Sequence, residues 1–184
     1  MKYSILILLA CVFFNLACND EVLPKPKAMM RLDYPTASYI KSETPNFVFE
    51  QNNIAIVKQQ NINGLTLDYP TIKGSIYLTY KPVNDDLKTL LNDAQKLSYE
   101  HVVKADNIVE QPFINDDKRV FGMFYEITGN AASQSQFYAT DSTKNFVTGS
   151  LYFYAKPNYD SIFPAAIYLQ NDIRKIMESL EWKD

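Results

Sequence analysis

From residue 47 onward the chain alternates between short apolar and polar runs, and the period of that alternation predicts its elements. Phe47–Glu50, Ile54–Lys58, Leu65–Tyr69 and Ser75–Lys81 read as strands. Leu65, Leu67 and Tyr69, then Ile76, Leu78 and Tyr80, fall two residues apart, the spacing that turns one face of a strand toward a core. The period then lengthens. Leu87, Leu90, Leu91, Ala94, Leu97 and His101 recur in three- and four-residue steps, which predicts an amphipathic helix with Asn84 as its cap and Asp85 and Asp86 at its positive end. Strand spacing returns near Ile108 and over Val120–Thr128, on either side of the turn-forming Asn115-Asp116-Asp117-Lys118. Gln136–Thr140 and Phe146–Ala155 flank a predicted hairpin loop from Asp141 to Asn145. A last helix is predicted from Ser161 or Phe163, with Pro164 in its first turn and Ala166, Leu169, Ile173, Ile176, Met177 and Leu180 as its buried stripe. Trp182 follows it.

Consecutive hairpin-like strands broken by only two helices predict an α+β fold, an antiparallel sheet flanked by two main helices. One helix mid-chain and one at the C-terminus is also the order of a PsbP/Mog1-like sandwich, a likeness of fold only.

Ahead of this body the pattern differs. Lys2 precedes a nearly unbroken apolar run from Ile5 to Phe14, then Asn15-Leu16-Ala17-Cys18, the layout of a secretory signal peptide. The run falls short of the roughly 20 apolar residues that cross a bilayer. A lipoprotein signal peptidase needs cysteine as the first mature residue, because the thiol takes a diacylglycerol thioether before cleavage. Residues 1–17 are therefore expected to be a lipoprotein signal peptide and Cys18 the lipidated residue. Cys11, after Leu8-Leu9-Ala10, stays open as the alternative, although it leaves an apolar core of about seven residues and exposes Val12-Phe13-Phe14. A plain secretory cut near Ala17 that leaves a free thiol is a third reading. Pro24, Pro26, Pro35 and the absence of an apolar period predict a lipid-anchored tether over residues 18–44. Pro24-Lys25-Pro26-Lys27 favours polyproline II there, at about 3.1 Å per residue. The part from Met29 to Pro35 is less linker-like and is expected to lie along the body or a partner. Residues 45–184 are expected to be a single domain.

Composition narrows the chemistry. Cys11 and Cys18 are the only cysteines, so the chain from Cys18 onward has no partner for an internal disulfide and depends on packing. The formal charge of −3 becomes −4 once Lys2 is removed, which disfavours nucleic acid. No nucleophile elbow, His-Glu-x-x-His pair or phosphate-binding glycine loop is present, so neither an enzyme nor a cofactor is predicted. Asp85-Asp86 and Asp116-Asp117 lack the spaced ligands of a calcium loop and read as cap and turn, so no metal is predicted either. The one histidine, His101, falls on the apolar stripe of its helix and reads as structural. Two features suit an interface. The small, polar stretch around Gly129, Asn130, Ser133 and Gln136, with Tyr138 beside it, is longer than a tight hairpin needs. Its plainer reading is an ordinary connection in which glycine supplies a positive φ. Thirteen tyrosines and eleven phenylalanines, Tyr138, Tyr152 and Tyr154 among them, are more than two helices can cover.

Several longer stretches carry a resemblance. Pro24-Lys25-Pro26-Lys27 with Arg31-Leu32-Asp33-Tyr34-Pro35, then Ile76-Tyr77-Leu78-Thr79-Tyr80-Lys81 and His101-Val102-Val103-Lys104-Ala105-Asp106, resemble the gliding motility lipoprotein GldD family of the Bacteroidota. So do Gly129-Asn130-Ala131-Ala132-Ser133 running into Gln136-Phe137-Tyr138, Thr140-Asp141-Ser142-Thr143-Lys144, Pro157-Asn158-Tyr159-Asp160-Ser161 and Glu178-Ser179-Leu180-Glu181-Trp182-Lys183. Thr44 stands where the family leads one to expect cysteine, Leu65 where it leads one to expect tryptophan, and Ala28-Met29-Met30 replaces a glycine followed by aromatics. The resemblance implies a lipid-anchored envelope component of the gliding apparatus, coupled to type IX secretion, with its body expected in the periplasm at the outer membrane. It implies no catalysis, and partners that are other gliding and secretion envelope proteins. The alternative is a periplasmic glycan-binding module that uses exposed Tyr and Phe as stacking platforms.

Overall fold

The computed structural model describes residues 33–100, 103–154 and 158–183. Cys11, Cys18 and His101 lie outside them. The described strands are β1 Tyr39–Glu43, β2 Phe47–Asn52, β3 Ile56–Asn61, β4 Gly64–Tyr69, β5 Gly74–Pro82, β6 Ala105–Asn115, β7 Val120–Gly129, β8 Ser133–Thr140, β9 Asn145–Phe153 and β10 Glu181–Trp182. Helix α1 spans Leu87–Tyr99 and helix α2 Tyr159–Ser179.

The period-two residues do what their spacing predicts. Leu65 faces Leu78 and Leu67 faces Ile76 across β4 and β5, and Leu78 and Ile76 face Gly149 and Leu151 of β9. This row of side chains forms the inner face of a seven-stranded antiparallel sheet, in the order β3-β4-β5-β9-β8-β7-β6. β1, β2 and β10 form a separate three-stranded antiparallel sheet, so the single sheet expected from sequence is two. Helix α2 accounts for the second. Its buried residues, Ala165, Ala166, Leu169, Gln170, Asp172, Ile173, Ile176 and Met177, span more of the helix surface than one sheet can cover. The large sheet takes one side through Phe124, Phe137 and Leu151, and Phe47 and Phe49 of β2 join the same core from the small sheet. Helix α1 packs on the outer face of the large sheet, with Leu90 and Ala94 against Phe146. Among the described residues the architecture is α+β with two helices, as the patterning predicts.

Three local expectations are corrected. Tyr39–Glu43, inside the stretch expected to be tether, is a strand paired along β2, and Tyr34 ahead of it stacks on Tyr168 of α2 at 5.0 Å. Asn84 does not cap α1: Asp85 takes a positive φ of 60°, and the Asp86 side chain turns back to accept the Asn84 N–H at 2.9 Å. Helix α2 begins at Tyr159, earlier than expected, because Asn158 O accepts the Ser161 and Ile162 N–H groups, so Pro164 lies inside the helix. The two departure positions that are described are settled by local structure. Thr44 Oγ1 donates to Phe47 O at 2.9 Å and accepts the Phe47 N–H at 3.0 Å, closing the β1–β2 turn, and Leu65 is buried in the core.

Candidate functional site

The stretch singled out as a surface loop is mostly interior. Ser133 and Gln136 are buried, 0% and 2% exposed, which corrects their assignment to an interface. Each has a structural task. Ser133 Oγ donates to Ser135 O at 3.1 Å, and Gln136 Oε1 accepts the Ser98 hydroxyl at 2.8 Å, tying β8 to α1. Gly129 has a φ of 95°, and a Cβ there would lie 2.5 Å from the backbone nitrogen of Asp106, so the position needs glycine for conformation and for space. The plainer reading of this glycine therefore holds. Asn130 is exposed, yet its Oδ1 accepts the Tyr159 N–H at 2.9 Å and so holds the start of α2. Tyr138 is half-buried, stacked on Phe146 with ring centroids 5.8 Å apart. The loop serves to join β8, α1 and α2. Sequence patterning could not show this, because polar residues buried with hydrogen-bond partners look the same in sequence as solvated ones.

The outer face of the large sheet is only half covered. Residues directly opposite one another share a face, so Thr66, Tyr77 and Ser150 form one row across β4, β5 and β9, and Asp68, Ser75 and Tyr152 form the next. Helix α1 covers the β8–β9 part of this face; over β3, β4 and β5 nothing described covers it. There Tyr77 is 40% exposed, Tyr154 52% and Ile56 54%. Tyr77 meets Tyr152 edge-on, with centroids 5.7 Å apart. Of the tyrosines noted in sequence, Tyr152 and Tyr154 lie here and Tyr138 does not. The sequence signal for Tyr77 is its place in the alternation, out of phase with the core-facing Ile76 and Leu78.

A buried carboxylate fixes the position of this patch. Asp68, 1% exposed, accepts the Ser75 hydroxyl at 2.8 Å and the Tyr154 hydroxyl at 2.5 Å on one oxygen, and the Lys58 ammonium at 2.8 Å on the other. The Ser75 and Tyr154 hydroxyls also touch each other. Burial alone would raise the Asp68 pKa, but the Lys58, Tyr154 and Ser75 donors outweigh it and the pKa is lowered. The carboxylate stays charged, and the Tyr154 ring is held at the surface with Lys58 beside its face, 5.6 Å from the centroid. Because the Ser75 hydroxyl is fully buried, this group positions side chains and presents no accessible nucleophile.

Asp85 and Asp86 lead into α1, Asp116 and Asp117 lie in the β6–β7 turn, and among the described residues no group of three or more His, Cys, Asp and Glu is placed to hold a metal ion. No described helix is long and apolar enough to cross a membrane. Among curated proteins no match is found. The family model described as gliding motility lipoprotein GldD matches residues 19–182, nearly the whole of this 184-residue chain and the entire described body apart from Lys183. The chain belongs to the gliding motility lipoprotein GldD family.

Proposed function

We propose that the protein is a non-catalytic, lipid-anchored component of the gliding machinery, linked to type IX secretion, that assembles or stabilises partner proteins in the envelope. Family membership supports the gliding role and the lipoprotein class. The docking role rests on the open outer face of β3–β5, where tyrosine and isoleucine side chains are presented on a rigid sheet. Interfaces are enriched in tyrosine, and a few anchors carry most of their energy, about 2 kcal/mol or more each. The likeness to a PsbP/Mog1-like sandwich is supported by helix order alone.

Replacing Tyr77 by Ser together with Thr79 by Lys puts a charge on the open face while leaving the core-facing residues intact. Partner proteins that copurify with the wild type from detergent-solubilised envelopes should then be lost, with circular dichroism unchanged. Normal copurification and gliding would remove this face as the interface.

A glycan is the alternative occupant, favoured by one observation. Asn61, Asn63 and Thr66 line a shallow groove of about 220 Å³ beside Tyr77. Cosedimentation of the chain with purified peptidoglycan, abolished by Tyr77→Ser, would favour that occupant over a protein.

The anchor is proposed at Cys18, with the body on the periplasmic side of the outer membrane. Cys18→Ser should abolish incorporation of labelled fatty acid and release the protein from membranes. If Cys11→Ser has that effect and Cys18→Ser does not, the cleavage site lies at Cys11.

A further inference from the structure

The β5–α1, β6–β7 and β8–β9 connections and strand β10 enclose a cleft of about 690 Å³, within the size range of ligand sites. Four basic and three acidic side chains line it, but most of them are already engaged. Lys118 pairs with Glu181 at 2.8 Å, and Lys183 with Glu43 at 2.8 Å. The Asp141 carboxylate is filled by backbone N–H groups of Thr143, Lys144 and Asn145. Arg119 and Lys144 have no carboxylate partner among the described residues.

Arg119 is held in position rather than loose. Its backbone takes a positive φ of 51°, its N–H donates to Asp116 O at 3.2 Å, and its C=O accepts the Trp182 indole N–H at 2.9 Å. At the other end Nη2 donates to Asp141 O at 3.4 Å and to Thr143 Oγ1 at 3.2 Å. A guanidinium carries five N–H donors in a planar fork, so the remaining ones are free for an oxyanion in the cleft, with the Lys144 side chain on the same loop as Thr143. The near balance of charge around the cleft suits a singly charged carboxylate better than a phosphate dianion. Pro45, Pro82 and Val83 supply an apolar wall beside these cations. The two aromatics are committed elsewhere: Tyr80 stacks on Phe47 at 6.4 Å and donates its hydroxyl to Asn145, and Trp182 packs against the core.

We propose that this cleft binds an acidic peptide segment of a partner protein, with a carboxylate taken by Arg119 and Lys144 and a neighbouring apolar side chain against Pro45, Pro82 and Val83. The site is separate from the open tyrosine face, so either can fail without the other.

Trp182 is the single tryptophan of the chain and lines the cleft, so its emission reports on occupancy. The detergent-solubilised full chain is titrated with a capped Glu-Val-Glu-Val-Glu-Val peptide, with the Gln-Val-Gln-Val-Gln-Val peptide as neutral control and an oligogalacturonate as acidic sugar. The expected result is a saturable change with the glutamate peptide alone, suppressed by 1 M salt and weakened about tenfold by Arg119→Gln or by Lys144→Gln. Lys144 is exposed, so its variant tests the proposal even if Arg119→Gln perturbs the β6–β7 turn. An equal response to the glutamine peptide, tighter binding of the oligogalacturonate, insensitivity to both substitutions, or no saturable change would each overturn it.

Discussion

Asp172→Ala should lower the free energy of unfolding by about 3 kcal/mol, read from urea denaturation followed by circular dichroism. Asp172 sits on α2 with 1% of its surface exposed, between the helix and the small sheet. Its carboxylate accepts the Tyr39 hydroxyl at 2.9 Å and the Asn52 side-chain amide at 3.2 and 3.0 Å on its two oxygens. The Asn52 amide also donates to the Tyr168 hydroxyl at 3.0 Å. Strands β1 and β2 are thereby tied to the C-terminal helix at one point. Alanine would leave the part-buried Tyr39 hydroxyl without this acceptor and the buried Asn52 amide with Tyr168 alone, at about 1–3 kcal/mol for a buried donor left unpaired, and would open a cavity as well. Asp172→Asn keeps the volume and one acceptor oxygen and should cost less.

The same residue sets a pH dependence. Burial raises the Asp172 pKa above its ordinary 3.8, outweighing the Tyr39 and Asn52 donors that lower it. An acid with a higher pKa in the folded state binds its proton more readily there. Its contribution to stability is therefore largest below pH 3.8 and declines as pH rises through the raised value. Asp172→Asn should abolish that decline; if the decline persists, another group is responsible.

Asp141→Ala should cost a similar amount for the opposite electrostatic reason. Its Oδ1 accepts backbone N–H groups from Thr143 at 2.9 Å, Lys144 at 2.8 Å and Asn145 at 2.9 Å, and its Oδ2 accepts the Asn145 amide at 2.8 Å. Burial alone would raise its pKa, but these donors outweigh it and hold the carboxyl at about 2, below the ordinary 3.8. At 1.36 kcal/mol per pKa unit, this corresponds to about 2 kcal/mol of stability. That contribution is present above pH 3.8 and is lost as pH falls toward 2. Asp141→Ala should flatten the acid limb of the stability curve and lower stability at neutral pH by about 2–3 kcal/mol. Asp141→Asn retains an acceptor for the backbone donors but loses the charge, and should fall between the two. An unchanged acid limb in the alanine variant would show that the loop is held by other means. The loop also carries Thr143 and Lys144, so loosening it should disperse the cations of the cleft.

Residue order alone specifies the core-facing alternation of β4 and β5, the hairpin from β8 to β9 and the buried stripe of α2, because each reflects the period of a single element against one apolar surface. It also carried the family, since that resides in residue order. It did not reveal β1, whose Tyr39-Ile40-Lys41-Ser42-Glu43 lacks an apolar period and becomes a strand through its pairing with β2. The division into two sheets likewise depends on how widely α2 is buried, a property of the layers on both sides of the helix. Gln136, Asp68 and Asp172 are buried polar residues with hydrogen-bond partners from distant parts of the chain. Sequence alone gives them the polarity of a surface. Only the tertiary structure supplies the donors and acceptors that let them be buried, and only the tertiary structure leaves Tyr77 and Tyr154 uncovered and brings Arg119, Lys144 and Trp182 together around one cleft.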